Sequence, residues 1–138
     1  MNNLFADTSG WGCLIDATQK HHALAAAIYR NIRQQQARLI TTNYIITELA
    51  ALMSSPLHLP RPSIIAFLEG IKTSPYVAVI HIDQTLDEQV WRLYKQRTDK
   101  DWSLVDCASF VVMKERGITE SLTTEHHFEQ AGFLRLLK

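Results

Sequence analysis

The sequence predicts an α/β fold, a three-layer α/β/α sandwich built on a central parallel β-sheet. Three observations carry that expectation. Short apolar runs alternate with segments of helical periodicity, no internal repeat or linker interrupts them, and 138 residues with 46% hydrophobic content suffice for one sizeable core. The whole chain, residues 1–138, is therefore read as a single domain. In such folds the side chains that do chemistry gather at the carboxyl ends of the strands.

Leu4-Phe5-Ala6 is the first strand, and it runs into Asp7-Thr8-Ser9-Gly10, read as a polar turn. From Lys20 to about Gln36, the residues Leu24, Ile28 and Ile32 recur at helix spacing, which turns Arg30 and Arg33 to solvent. Leu39 to Thr42 reads as a second strand. Asn43 then caps a helix through Ile45, Ile46, Leu49, Leu52 and Met53, which Ser54-Ser55-Pro56 ends. Between Pro60 and Pro75 lies another helix, with Pro62 in its first turn. Its apolar face of Ile64, Ile65, Phe67, Leu68 and Ile71 is either core or partner surface. Tyr76 to Ile82, rich in Val and Ile without clean alternation, predicts a strand buried on both faces. Asp83 caps the next helix, striped with Leu86, Val90, Leu93 and Tyr94. Ser103 opens a further helix that Gly117 closes, and Ser121 to Thr123 and Phe133 to Leu137 supply the last strands.

Fourteen Lys and Arg balance fourteen Asp and Glu, so no overall basic field holds a nucleic acid. A polyanion must be gripped locally or through metal ions. No apolar run approaches the roughly 18 residues of a membrane helix, and the opening residues lack the pattern of a secretion signal. Cys13 and Cys107 form neither a disulfide framework nor a close metal-binding pair, so both read as packing residues. These features predict a chain that stays in the cytoplasm, away from membranes.

Four carboxylates stand out by position, and each has a plain structural reading beside the functional one. Asp7 ends the first strand, where it can hydrogen-bond the turn amides. Ser103-Leu104-Val105-Asp106 fits a capping box, and Glu125 after Thr123-Thr124, at the opening of a late helix, can be read the same way. Glu48 resists such a reading. Tyr44, Ile45, Leu49 and Leu52 surround it at helical spacing, and an unpaired buried carboxylate is costly. A salt bridge or a divalent cation should meet it, and the nearest basic residues in sequence are Arg38 and Arg61. Acids grouped at one end of a sheet repel one another unless a cation compensates, and oxygen-only ligands favour Mg²⁺ or Mn²⁺, as suits phosphodiester cleavage.

Other motifs carry less. His21-His22 and His126-His127 are adjacent pairs without zinc-binding spacing and read as surface residues. No Gly-rich phosphate loop is present, and the Asp7-Thr8-Ser9 turn lacks the second acid of an aspartyl-phosphate phosphatase. Asp101 reads as solvated loop, whereas Asp99 stays open as an outer part of a site or of the same loop.

Four segments, taken together and in order, carry a resemblance. They are Phe5-Ala6-Asp7-Thr8-Ser9, Thr42-Asn43-Tyr44-Ile45-Ile46-Thr47-Glu48, Trp102-Ser103-Leu104-Val105-Asp106-Cys107 and Thr123-Thr124-Glu125-His126-His127-Phe128. The chain resembles, over essentially its whole length, a PIN domain of the VapC toxin type. What the resemblance implies is an α/β/α nuclease whose acids bind Mg²⁺ or Mn²⁺ and hydrolyse RNA to 5′-phosphate and 3′-hydroxyl ends. Its four catalytic, metal-binding acids map to Asp7, Glu48, Asp106 and Glu125; at the last position the family usually has Asp, one methylene shorter. Thr8 or Ser9 is implied as a hydroxyl contact to bound water or phosphate, with Thr124 and Asp99 in the same second rank, and Asn43 with Thr42 as a support for the turn before Glu48.

The resemblance further implies a homodimer and a cognate antitoxin that inserts a segment into a groove. The apolar stretches 43–53 and 62–71 are candidates for that groove, with core packing as their other reading. The expectation is thus a metal-dependent endoribonuclease, the toxin of a type II toxin–antitoxin pair. The alternative is a catalytically weak PIN-like module that binds RNA or a protein partner.

Overall fold

The structure, a computed structural model, describes residues 2–138. Its strands are short and apolar, and a parallel ladder needs a crossover between each pair, which the intervening helices supply. In chain order the elements are β1 (Leu4–Ala6), α1 (Thr8–Ile15), α2 (His22–Gln34), β2 (Leu39–Thr42), α3 (Asn43–Ser54), α4 (Arg61–Thr73) and β3 (Val77–Ile80). They continue with α5 (Gln84–Gln96), α6 (Leu104–Glu115), β4 (Glu120–Leu122), α7 (His127–Gln130) and β5 (Leu134–Arg135). The five strands are all parallel, in the order β3-β2-β1-β4-β5. The predicted α/β/α architecture with a central parallel sheet is the one observed.

Chain order and sheet order together locate the site. From β1 the chain steps outward through β2 to β3, then returns to add β4 and β5 on the other side of β1. The direction of winding thus reverses between β1 and β4, where Phe5 pairs with Ser121 and Ala6 with Leu122. At such a switch point the connections leave in opposite directions and a crevice opens at the carboxyl ends of the strands. Asp7 and Thr123 are the next residues on either side of that crevice.

The central strand is buried at every position, and Phe5, Leu39, Ile45, Met113, Leu122 and Phe128 form the middle of one core. Phe110 joins Trp102, Phe128 and Phe133 through ring contacts of 4.9 to 5.8 Å between centroids. Each such pair adds directional packing to its area burial.

The structure departs from the sequence reading in four local places. Residues 8–15 form a helix, α1, rather than a polar turn. Its two glycines depress helix propensity, but a Cβ on Gly10 would meet the Leu122 carbonyl oxygen at 2.0 Å, so a glycine there lets α1 approach the end of β4. The cap of α3 is Thr42, whose side chain accepts from the Ile45 amide. Asn43 is the first helical residue, and its Oδ1 accepts the Ile82 amide at 2.7 Å, tying α3 to the segment after β3. β3 is an edge strand, so only Val77 is buried and its other residues are half-buried. Glu125 opens no helix itself: α7 starts at His127 with His126 as its cap. The Asp83, Ser103 and Gly117 ends are as read, Gly117 lying at φ +66° just past α6.

Candidate active site

Asp7 leaves β1 and caps α1, because its carboxylate replaces the missing helical partner of the Gly10 amide at 2.9 Å. Two hydroxyls complete its surroundings: Ser9 donates to Oδ1 at 2.7 Å and Thr123 donates to Oδ2 at 2.6 Å. The side chain is buried, and among the described residues no Lys, Arg or His pairs with it. Burial therefore pushes its pKa from 3.8 up to about 6 against the pull of those hydrogen bonds, and the negative charge of Glu125 adds to the rise.

The hydroxyls around Asp7 extend the network to the loop of a second acid, and the adjacent Thr8 reaches a third. Ser9 Oγ accepts the Thr124 amide at 3.0 Å, and Thr123 Oγ1 accepts the Glu125 amide at 3.0 Å. The loop that carries Glu125 is thereby pinned to Asp7 through its backbone, while the Glu125 side chain itself is exposed. On the other flank the Thr8 hydroxyl donates to Glu48 of α3. Glu48 is half-buried, so the cation that full burial would demand is replaced in part by this hydroxyl and by solvent. Next to it on α3, Tyr44 donates to Asp87 of α5 and its own hydroxyl pKa is pushed up to about 12.

Asp106 stands in the first turn of α6 and makes the capping box read from the sequence: Ser103 Oγ accepts the Asp106 amide, and Asp106 Oδ2 accepts the Ser103 amide at 3.1 Å. The same Oδ2 lies 3.0 Å from His127 Nδ1. His127 is therefore no free surface residue; neither is His22, whose Nδ1 meets the Cys13 carbonyl at 2.7 Å. Asp99 is exposed and bidentate with Arg97, at 3.0 and 3.1 Å. Both cysteines are buried and free, with burial raising their thiol pKa values.

These oxygens match a hard divalent cation. The telling feature is Asp7, a buried carboxylate with another acid beside it and no positive partner, whose charge such an ion would compensate. Among the described residues no three His, Cys, Asp or Glu side chains already converge into a closed cage. Mg²⁺ does not require one, since it keeps several waters and takes one or two carboxylates together with substrate phosphate.

The sequence profile of the PIN domain matches residues 4–134. The chain belongs to the PIN-domain family. Among known PIN-domain proteins it is similar to the 23S rRNA-specific endonuclease VapC20 of two Mycobacterium tuberculosis strains, CDC 1551 / Oshkosh and ATCC 25618 / H37Rv. Identity to each is 28% over 133 residues, covering 96% of this chain and 97% of the relative. The crystal structure of Mycobacterium tuberculosis VapC20, a toxin that cleaves the sarcin-ricin loop, superposes with a TM-score of 0.83 and 27% sequence identity over 98% of this chain and 99% of that one. The resemblance to the VapC toxin type carried by the four motifs is borne out.

Two residues of this PIN domain escape a reading of the motifs as acid positions alone. Thr123 is fully buried and joins Asp7 to the Glu125 backbone, yet in the sequence it is one more threonine at a strand end. His127 reaches Asp106 from 21 positions away. The available signal is indirect: a polar residue directly after a buried strand needs a partner, and a parallel neighbour supplies it.

Proposed function

We propose that this PIN domain, spanning residues 1–138, is a metal-dependent endoribonuclease of the VapC toxin type that hydrolyses RNA phosphodiester bonds. The observation that carries the reading is Asp7: an uncompensated buried carboxylate at the switch point of the sheet, tied through the Thr123 hydroxyl to the backbone of Glu125. Asp7, Glu48, Asp106 and Glu125 would hold Mg²⁺ or Mn²⁺. When bound, such an ion neutralises charge on the scissile phosphate and lowers the pKa of a water. The chain's own contribution is orientation. The Gly10 amide and the Ser9 and Thr123 hydroxyls fix Asp7, Thr8 holds one oxygen of Glu48, and the Ser103 amide fixes Asp106.

The neutral chain must grip its polyanion locally, and a cleft of about 690 Å³ between α5, α6 and the end of α7 supports this. Arg92, Arg97 and Lys114 line it, with Arg97 stacked 4.9 Å from the Trp102 ring. Phe110, also in its wall, is one helical turn along α6 from Asp106. By likeness to VapC20 the substrate class is a ribosomal RNA loop. A second cleft of about 520 Å³ is lined by α1, α2 and the 66–71 part of α4, with Arg30 and Arg33 in its wall, and suits an antitoxin segment. No helix among the described residues is long and apolar enough to cross a membrane. A homodimer in the cytoplasm completes the reading.

The test is cleavage of total cellular RNA by purified protein with Mg²⁺, Mn²⁺ or chelator, beside Asp7→Asn and Asp106→Asn, with mapped ends. Discrete cuts with 5′-phosphates that vanish in chelator and in both variants are expected. Cleavage retained by either folded variant would sink the assignment of that residue, and no cleavage by folded, inhibitor-free parent under any metal would favour the binding module.

A further inference from the structure

Like Thr8 at Glu48 and Thr123 at Asp7, His127 is hydrogen-bonded to an acid of the site from a different element. His127 Nδ1 lies 3.0 Å from Asp106 Oδ2, and both side chains are only 19% exposed. A carboxylate in this role only accepts, so the ring donates at Nδ1. Oδ2 thus takes two donors, the Ser103 amide and the imidazole, whereas Oδ1 has no hydrogen-bond donor among the described residues. The capping box alone ties the carboxylate to its own helix. A second donor from α7 fixes the plane of the group and decides which oxygen is left open.

The connection of His127 to the rest of the site gives this contact its meaning. Residues 123–127 form one short segment: Thr123 holds Asp7, Glu125 is itself one of the four acids, and His127 holds Asp106. Further hydrogen bonds fix the segment between α1 and β5. Ser9 Oγ accepts the Thr124 amide at 3.0 Å, and Arg135 Nη1 donates to the Thr124 carbonyl at 2.9 Å. Phe128, the next residue, is fully buried in the core and anchors α7 independently of the imidazole.

We propose that His127 is a positioning residue of the acid site, which fixes Asp106 through Oδ2 and leaves Oδ1 open to a divalent cation. This inference rests on Asp106 being a metal ligand. Outer partners of metal-binding groups typically contribute about tenfold to a hundredfold to affinity through orientation alone.

The experiment is a titration of Mn²⁺, followed by the electron paramagnetic resonance of the free ion, on the parent, His127→Ala, His127→Asn and Asp106→Asn. Thermal unfolding of each variant checks the fold. Expected are a tenfold to hundredfold weaker Kd for His127→Ala, recovery of most of that loss by His127→Asn, whose amide can donate from nearly the same place, and a loss for Asp106→Asn. Unchanged or tighter Mn²⁺ binding by His127→Ala, with Asp106→Asn weakened, would overturn the role of His127 alone. A loss in His127→Ala that His127→Asn does not recover would overturn it too, because the hydrogen bond would not be what matters. Binding by Asp106→Asn equal to the parent, or none by the parent, would remove the ligand reading of Asp106 and this inference with it.

Discussion

Asp7 accepts three hydrogen bonds from a buried position and still holds its proton more tightly than an exposed aspartate, with a pKa raised from 3.8 to about 6. The folded state therefore binds more protons than the unfolded one across that window. The stability this proton contributes is fully present below 3.8 and is lost as pH rises through about 6. In chelator, Asp7→Asn should match the parent near the acid end of the window and exceed it at neutral pH by on the order of 2 to 3 kcal/mol. Urea unfolding of both proteins at the two ends checks this; equal stability at neutral pH would show that the hydrogen bonds already compensate the charge. A second variant addresses Glu125, whose backbone is pinned while its side chain is exposed. If the domain is an active nuclease, the parent already cuts and Glu125→Asp changes the rate little. A large gain from a nearly inactive parent would instead favour the binding module. At this scale Asp7, Asp106 and the Ser103 cap were legible, because a strand end and a capping box are local patterns. Thr123 and His127 were not, because their partners lie 116 and 21 positions away.

Among the elements, α1 separates what local pattern can and cannot reveal. Thr-Ser-Gly-Trp-Gly has weak helix propensity, and the helix exists because Asp7 caps it and because Trp11 and Cys13 reach the core. Gly10 is fixed by a contact with a strand more than a hundred residues later, which no window along the chain can show. Gly10→Ala should thus cost stability despite its better propensity, by about 1 to 3 kcal/mol as the new methyl forces α1 from Leu122. It should also weaken cleavage, because the displaced amide is one that orients Asp7. A denaturation midpoint at or above the parent's would contradict this. The reverse error at β3 has the same origin: its Val and Ile content fits a strand buried on both faces, but an edge position leaves most of it half-covered.

At the scale of the whole molecule, alternation of strands and helices was enough to read the class, since parallel strands require crossovers of about this length. Alternation does not dictate strand order, and the order is what joins Asp7 to Thr123. Net neutrality was equally legible, and under the proposed function it means that a local group such as Arg92 and Lys114 would serve in place of a basic surface. Replacing both by Ala should weaken binding of single-stranded RNA in chelator and flatten its salt dependence by about 1.4 log units per log unit, at roughly 0.7 per contact, while Mn²⁺ affinity stays intact. An unchanged slope would exclude this cleft from the RNA path. The pairing of Asp7 with Thr123 also has a bearing on synthesis. Translation delivers Asp7 more than a hundred residues before Thr123, so a nascent chain or a prematurely terminated product lacking β4 carries an aspartate held by Ser9 alone among its two hydroxyl donors, with no Glu125 beside it. The full surroundings of the buried aspartate thus come into being only once β4 has been made.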